Sequence, residues 1–441
     1  MNNTKLKEIE DFLLQYANRS IGGKFPGEMG IERTQYFLSL LGKPQEKIQV
    51  IHIAGTSGKG STATILSNLL HGQGYKVGLT LSPHVIDFRE RVQVNNEYLD
   101  IDRLHEYFEL VKDKVKEMEQ TKYGPPTYFE IVIGLVFYTF LKEKVDYVIV
   151  ETGLGGLLDG TNVVENPNKL CILTRIGLDH TAVLGDTLEE IAYQKAGIIH
   201  PKNRVVYLEQ SEKINEVFYD RAYETNAQLF PVIEGETFEN VTIEEQGTSF
   251  DFNSSKLPLK NIQTNLIGFY QAENTSLALT ALELLLDEID ERKLRDTLQK
   301  INLVGRFQIS QYKGKKIILD AAHNPQKIAA LVNSIKTVYP QEKFSILFAV
   351  KKKKEYSKII KSLIQIADEM VLTSYRIEQD MINESVDFAE VEKILSELGF
   401  NNFKSLELEK ALDYLAETKN NILVTGSMYL VGIVIQEGQL E

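Results

Sequence analysis

The chain has 441 residues, enough for two or three domains of about 150 residues each and for a core that needs no covalent staples. Apolar residues make up 43% and charged residues 25%, an ordinary globular mix that excludes a disordered or fibrous chain. The formal charge is −13; that field repels nucleic acid and anionic lipid, so an anionic ligand has to be met by a local basic site.

Residues 1–10 are charged and carry no apolar stretch, so no secretory leader is expected. Residues 48–54 (IQVIHIA) read as a buried strand running into a glycine-rich turn, and 61–72 as the helix that follows. Residues 76–81, 145–150 and 170–174 are further buried strands, and 128–142 and 187–197 are helices. The apolar-rich run 131–141 is far short of the roughly 20 residues a membrane span requires. This alternation predicts an α/β fold with a mostly parallel sheet covered on both faces, its functional groups beyond the carboxyl ends of the strands. Residues 204–265 look less regular, with short strands and polar turns; a helical pattern returns over 270–300. After a break at 302–305 the alternation restarts, with strands at 317–320, 344–350, 370–374 and 421–425. Two domains are expected, 1–300 and a smaller α/β unit over 301–441. The single cysteine, Cys171, excludes an internal disulfide, reads as a buried small hydrophobe and suits the cytoplasm.

The strongest chemical signal is Ala54-Gly55-Thr56-Ser57-Gly58-Lys59-Gly60-Ser61-Thr62. Glycines let backbone approach phosphate oxygens, N–H groups at a helix start bind anions, and Lys59 can reach terminal phosphates. The hydroxyls follow Gly60 rather than Lys59 directly, and no Asn-Lys-x-Asp element is present, which argues against a GTPase. Ser82, in Ser82-Pro83-His84 after the strand 76–81, offers oxygen of the kind hard Mg²⁺ prefers; Arg89 and Arg91 read as surface or anion-contacting groups. Glu151 ends a strand against Thr152-Gly153-Leu154-Gly155-Gly156, which suits a Mg²⁺ ligand or a base, or simply a turn cap. Asp159, Thr161 and Asn162 continue that polar loop. His180 reads as a core histidine or a ligand, and Lys195 as a surface or phosphate-neutralising lysine unless desolvation beside CO₂ turns it into an anionic carbamate. Arg306 sits in the break between the two halves, and Asp320 ends a strand before Ala321-Ala322-His323-Asn324-Pro325. The lysine run 351–354 has no interleaved aromatics and reads as a solvated loop rather than a nucleic-acid patch.

Taken together, AGTSGKGST, LSPH, ETGLGG-LLDGTN, LTRIGLDHTAVLGDTLEEIAYQKAGII, QAENTSLAL, GRFQ and LDAAHNP resemble the folylpolyglutamate synthases and bifunctional dihydrofolate synthases of the Mur ligase superfamily, from about Gly30 to Gly432. Ser57 stands where relatives often carry asparagine, and Leu157 where they often carry arginine. The resemblance implies a P-loop-type Mur ligase central ATPase domain, a C-terminal Rossmann-like domain and a site between them. It implies a cytoplasmic monomer with small-molecule partners, and neither nucleic acid nor membrane. It implies ATP and Mg²⁺ as cofactors, and transfer of L-glutamate to a folate carboxylate through an acyl phosphate. Carried over by motif, Gly58, Lys59, Gly60, Ser61 and Thr62 would hold the ATP phosphates; Asn274, Arg306 and Asp320 would contact ATP, with His323 nearby. Ser82, Glu151 and His180 would surround Mg²⁺, and Lys195 would be the carbamylated lysine. Thr127, Tyr128, Phe129 and Glu130, with Leu158, Asp159 and Gly160, would form the acceptor site, together with residues 28–31. The rivals are a Mur-type ligase acting on a nucleotide-sugar peptide and a nucleotide-binding switch or kinase.

Overall fold

The computed structural model describes residues 2–17, 27–352, 355–378, 382–438 and 440; Lys353 and Lys354 of the lysine run lie outside these. The chain forms two units: Met1–Glu239 with Asp251–Ile262 and Glu273–Leu298, and Asn240–Phe250 with Gln263–Ala272 and Gln299–Glu441.

The first unit is built on an eight-stranded sheet. Its strands are β1 (Gln49–Ala54), β2 (Val77–Thr80), β3 (Gln93–Val94), β4 (Glu97–Tyr98), β5 (Tyr147–Glu151), β6 (Leu170–Leu173), β7 (Arg204–Leu208) and β8 (Gln228–Val232), in the order β4-β3-β2-β5-β1-β6-β7-β8. From β2 to β8 all pairings are parallel; β3 and β4 add an antiparallel edge. Helices joining parallel strands cover both faces, which is why β1, β5 and β6 are almost wholly buried and read as apolar runs, broken in β1 by His52. Cys171 is buried in β6, as its setting predicts.

Residues 204–232 correct the sequence reading. They continue the parallel sheet as β7, the helix Glu212–Thr225 and β8. β8 is an edge strand, mostly exposed or half-buried and containing Pro231, so it lacks the apolar run by which the inner strands were found.

β9 (Phe238–Glu244), β10 (Gly247–Phe252) and β11 (Leu259–Thr264) form a three-stranded sheet in the order β11-β10-β9. The second unit carries a six-stranded sheet of β12 (Gln308–Tyr312), β13 (Lys315–Leu319), β14 (Phe344–Phe348), β15 (Ala367–Leu372), β18 (Phe403–Ser405) and β19 (Asn421–Thr425), ordered β12-β13-β19-β14-β15-β18. β16 (Arg376–Glu378) and β17 (Ile382–Glu384) make a small antiparallel pair. Strand alternation splits the second unit's core in two: Ile318, Ile346, Met370 and Leu423 enter one cluster, while Ile317, Leu319, Leu347, Val371 and Ile422 enter the other. Lys351 bridges Ser385 and donates to Asn383, so the start of the lysine run is tied into structure.

Candidate active site

In the first unit β2, β5, β1 and β6 are neighbours running in one direction, so the loops after them leave one edge of the sheet together. After β1 the chain turns at Gly58, whose φ of 90° lies in the region that favours glycine. A β-carbon there would run into the Asn274 amide, so this glycine provides both the turn and a close approach. The turn is braced from beyond β6: Thr56 and Ser57 N–H donate to the Arg175 carbonyl, and Thr174 Oγ1 donates to the Ser57 carbonyl at 2.7 Å. Arg175 is itself held by Glu273, a pairing the sequence reading missed. The helix Lys59–Gly72 then starts without a side-chain cap, and Thr62 N–H is the first to reach a carbonyl within it, that of Gly58 at 2.8 Å. The N–H groups of Lys59, Gly60 and Ser61 stand ahead of it at the positive end of the helix dipole, an anion-ready arrangement. Thr62 Oγ1 and Asn274 Oδ1 are 3.4 Å apart, and Asn274 is buried.

Lys59 lies over this turn, with Nζ 3.8 Å from Glu151 Oε1. Glu151 is the last residue of β5 and faces Ile53 in register; its Oε2 accepts the Ser82 N–H at 3.1 Å. The loops after β1 and β2 therefore meet on one carboxylate. Ser82 Oγ receives a bond from Arg91 Nη1 at 3.4 Å. For Arg91 the surface alternative is overturned: it is 2% exposed, and its Nε donates to His84 Nδ1 at 2.9 Å. Burial, reinforced by the Arg91 charge, pushes His84 down to about 3, so its imidazole is neutral.

The glycine loop after β5 packs on the helix Leu188–Ala196. Leu157 N–H donates to the Gln194 carbonyl at 2.6 Å, and a β-carbon on Gly156 would strike the Gln194 carbonyl oxygen. That helix carries Lys195, which is 4% exposed rather than on the surface. Asp159 is buried and accepts from Leu154 N, Thr161 N and Thr161 Oγ1. Burial raises its carboxyl, while those bonds and the charge of Lys59 pull it back. Phe129 closes on Gly153 and Gly160, where added β-carbons would lie 2.8 and 3.3 Å from its ring; Leu158 is half-buried beside them.

The helix Tyr128–Glu143 begins with a capping box: Thr127 Oγ1 accepts Glu130 N–H, and the Glu130 carboxylate accepts Thr127 N–H. Glu130 also forms a two-point ion pair with Arg33 (3.2 and 3.1 Å), whose guanidinium donates to the Tyr123 and Pro125 carbonyls as well. Both oxygens of Glu130 are thus engaged in holding the helix start, and Tyr128 lies under Arg91, 6.0 Å from guanidinium carbon to ring centre. Arg33 lies on the helix Gly27–Leu40, which also holds residues 28–31. The signal for it was a lone arginine in an otherwise apolar helical stripe.

His180 precedes the short helix Thr181–Leu184 with φ 53°, its side chain half-exposed and Nε2 3.9 Å from Asp179 Oδ1. Magnesium fits this edge chemically: a buried carboxylate, a hydroxyl and an imidazole include the oxygen donors a hard dication takes. Among the described residues, the one cluster of three imidazole or carboxylate groups within 4.8 Å is Glu8, His105 and Glu109. It lies elsewhere on the surface, and the Lys112 ammonium bridges both glutamates at 3.4 and 2.9 Å, so it reads as an ion-pair network.

In the second unit, Asp320 is buried just beyond β13 and accepts Phe307 N–H and Ala322 N–H, each at 2.8 Å. Burial raises its carboxyl, and the Arg306 charge opposes this. His323 Nδ1 is 2.8 Å from the Ala321 carbonyl, and Lys327 Nζ approaches its Nε2 at 3.4 Å. Arg306, Asp320 and His323 therefore share one corner at the start of the helix Pro325–Val338.

The Mur ligase middle domain family matches residues 53–282, and the dihydrofolate synthetase C-terminal domain family matches 299–437. The dihydrofolate synthase/folylpolyglutamate synthase of Bacillus subtilis is 33% identical over 415 residues, covering 92% of this chain and 94% of that one. The chain belongs to the dihydrofolate synthase/folylpolyglutamate synthase family of Mur ligases. Among solved structures of this family, the Thermotoga maritima folylpolyglutamate synthase superposes with a TM-score of 0.84 at 29% identity, covering 99% of this chain and 97% of that one. The E. coli FolC complex with DHPP and ADP superposes at 0.80 with 27% identity, covering 98% and 97%. The expected α/β architecture of the family is the one observed.

Proposed function

We propose that this chain is an ATP-dependent acid–amino-acid ligase that adds L-glutamate to the carboxylate of a folate, with dihydropteroate as a second acceptor. One observation carries the reading. An anion-ready helix start, Lys59 and Glu151 share a sheet edge with the loop of Asp159 and Gly160 and with Phe129, so phosphate chemistry and an aromatic-lined acceptor loop adjoin. Relatives that align over nearly the whole chain are named for the same chemistry. A nucleotide-sugar peptide acceptor is not favoured by those names.

A carboxylate resists attack because a nucleophile must add electrons to an anion. In the proposed reaction, a carboxylate oxygen of the acceptor attacks the γ-phosphorus of ATP, and the bond to the β–γ bridging oxygen breaks to release ADP. The glutamate amine then attacks the acyl carbon, loses a proton, and inorganic phosphate leaves with the electron pair of the C–O bond. The N–H groups of Lys59, Gly60 and Ser61 would hold phosphate oxygens, with Thr62 beside them. The Lys59 ammonium would offset charge on the group in flight. Ser82, Glu151 and His180 would hold Mg²⁺, which when bound supplies charge neutralisation and alignment of the phosphates. Lys195 would carry a carbamate, formed when its neutral amine bonds to CO₂ carbon and a proton is released. Asn274, and in the second unit Arg306, Asp320 and His323, would contact the nucleotide. Asp159, Leu158, Gly160, Thr127, Tyr128, Phe129 and Glu130 would form or hold the acceptor site.

The division of labour would be an ATPase domain over 1–300 and a Rossmann-like domain over 301–441. The enzyme would work as a cytoplasmic monomer on small molecules. Among the described residues no helix is long and apolar enough to cross a membrane.

The deciding experiment is product analysis with purified protein, ATP, Mg²⁺ and L-glutamate, offering tetrahydrofolate and dihydropteroate in turn. A product heavier by one glutamyl residue, with matching phosphate release, is expected. Hydrolysis of ATP indifferent to both acceptors would overturn the reading.

A further inference from the structure

His52 has no part in the chemistry above, yet it interrupts the apolar run of the central strand β1. It is fully buried, with strands on both sides: Val150 and Cys171 are its register partners. A branched apolar residue would pack there at no polar cost. Instead its Nε2 lies 2.8 Å from Thr161 Oγ1, and that hydroxyl lies 2.5 Å from Asp159 Oδ1.

The chain of bonds has a direction. Thr161 N–H and Leu154 N–H both donate to Asp159, as suits an ionised carboxylate, which only accepts. The single proton of the Thr161 hydroxyl therefore goes to Asp159 Oδ1, and the hydroxyl oxygen must accept from above. His52 can meet it only as the Nε2–H tautomer. Its Nδ1, buried and without a hydrogen-bond partner among the described residues, is the cost of that arrangement, and a cost left in place wants a reason. Burial, with the charge of Lys169, holds His52 well below the ordinary imidazole range, so it is neutral and keeps one donor proton.

We propose that His52 and Thr161 are positioning residues for the acceptor: through this relay they lock the Asp159 carboxylate in one rotamer and so set affinity for the pterin-bearing acid, not for ATP. The inference rests on reading Asp159 as an acceptor-binding group. A carboxylate offers about four lone-pair positions; three are filled by donors on its own loop, so the one left is aimed by the other three. Removing the hydroxyl donor frees the side chain to rotate about its remaining bonds.

Thr161→Val removes the hydroxyl at nearly constant volume, and Thr161→Ser keeps it. The measurement is KM for tetrahydrofolate and for ATP, with kcat and the thermal midpoint, in glutamate-dependent phosphate release. The Val variant should raise the acceptor KM about tenfold or more, as loss of a bond to a charged group implies, leave the ATP KM within about twofold, and be reversed by Ser. His52→Leu and His52→Gln form an independent pair, because the Gln amide restores a donor where Leu has none; a raised acceptor KM in Leu alone supports the relay even if Thr161→Val does not fold. Long-range proton–nitrogen spectra of the His52 ring should show the Nε2–H tautomer. An acceptor KM unchanged in a folded Thr161→Val protein, or equal in the two His52 variants, overturns the inference and leaves the ligase reading standing. A uniform fall in all parameters with a lower thermal midpoint marks a structural role and overturns it too. If wild-type protein glutamylates neither acceptor, the ligase reading fails first and the inference with it.

Discussion

Lys59 Nζ stands 3.8 Å from Glu151 Oε1, while the other oxygen of that carboxylate takes the Ser82 N–H. One side chain at the end of β5 thus ties the turn after β1 to the turn after β2. Lys59→Ala should lower glutamate-dependent turnover by about 10²–10³ or more, the range seen when a preorganised charge is removed from a transferring group. It also removes the Lys59 charge from beside the Glu151 side chain, 9% exposed, so a destabilisation of about 1 kcal/mol should accompany it. Phosphate release and urea unfolding measure the two effects; a folded variant with near-normal turnover would remove Lys59 from the mechanism.

Gly58 and Asn274 make a second prediction from the same turn. Gly58→Ala puts a β-carbon at positive φ and against the Asn274 amide. The backbone strain alone is about 1–2 kcal/mol, and relieving the clash moves the N-terminus of the helix Lys59–Gly72. The variant should bind ATP at least about tenfold more weakly, since roughly 1.4 kcal/mol is a factor of ten, with a lower thermal midpoint. Calorimetric titration with a non-hydrolysable ATP analogue checks this; wild-type affinity would show that the turn has room to spare.

How much of this was legible in the sequence follows from how each residue is held. The glycine turn, Glu151 and the Asp159 loop were readable because parallel topology puts polar residues after apolar strands at one edge. Strand β8 was missed because an edge strand need not be apolar on both faces. Of the two readings of Arg91, surface or anion-contacting, the surface one fails because an arginine looks like a surface group until a buried imidazole is seen accepting from it. Arg33 and Glu273 were missed altogether: their partners, Glu130 and Arg175, are 97 and 98 residues away, and one sequence carries no record of such pairings.

Arg33 and Glu130 are buried together, with side chains 7% and 4% exposed. Arg33→Met strands a buried carboxylate and also releases the Tyr123 and Pro125 carbonyls. It should cost about 3–5 kcal/mol. Glu130→Gln, which keeps one of the two accepting oxygens, should cost less. Because Thr127, Tyr128 and Phe129 start the helix this pair secures, both changes should raise the acceptor KM more than the ATP KM. Urea unfolding with paired kinetics tests it; equal stability losses for the two variants would show that the charge of Glu130, rather than the bonds of Arg33, carries the contribution.

Three lowered imidazoles, those of buried His52 and His84 and of half-buried His200, favour loss of stability in acid. His200 donates to Asn162 Oδ1 across 2.9 Å, and burial, helped by the charges of Lys169 and Arg221, holds it down to about 3; His52 is lowered in the same sense. Unfolded, each imidazole takes a proton near its ordinary value of about 6.5. Between those limits the unfolded chain binds more protons than the native one, so stability rises with pH there and is lost on acidification. The full slope is about 1.4 kcal/mol per pH unit for each group, and it vanishes above about pH 6.5. Buried Asp159 and Asp320 have raised values and act with the opposite sign, so the contribution of one histidine is best read by difference. His200→Gln keeps an amide donor for Asn162 but cannot titrate. Its urea midpoint should fall less than that of the wild type between pH 6.5 and pH 4 and run parallel to it above pH 7. Parallel curves through the acid range would mean that His200 is protonated in the native protein and that its bond to Asn162 does not require the neutral ring.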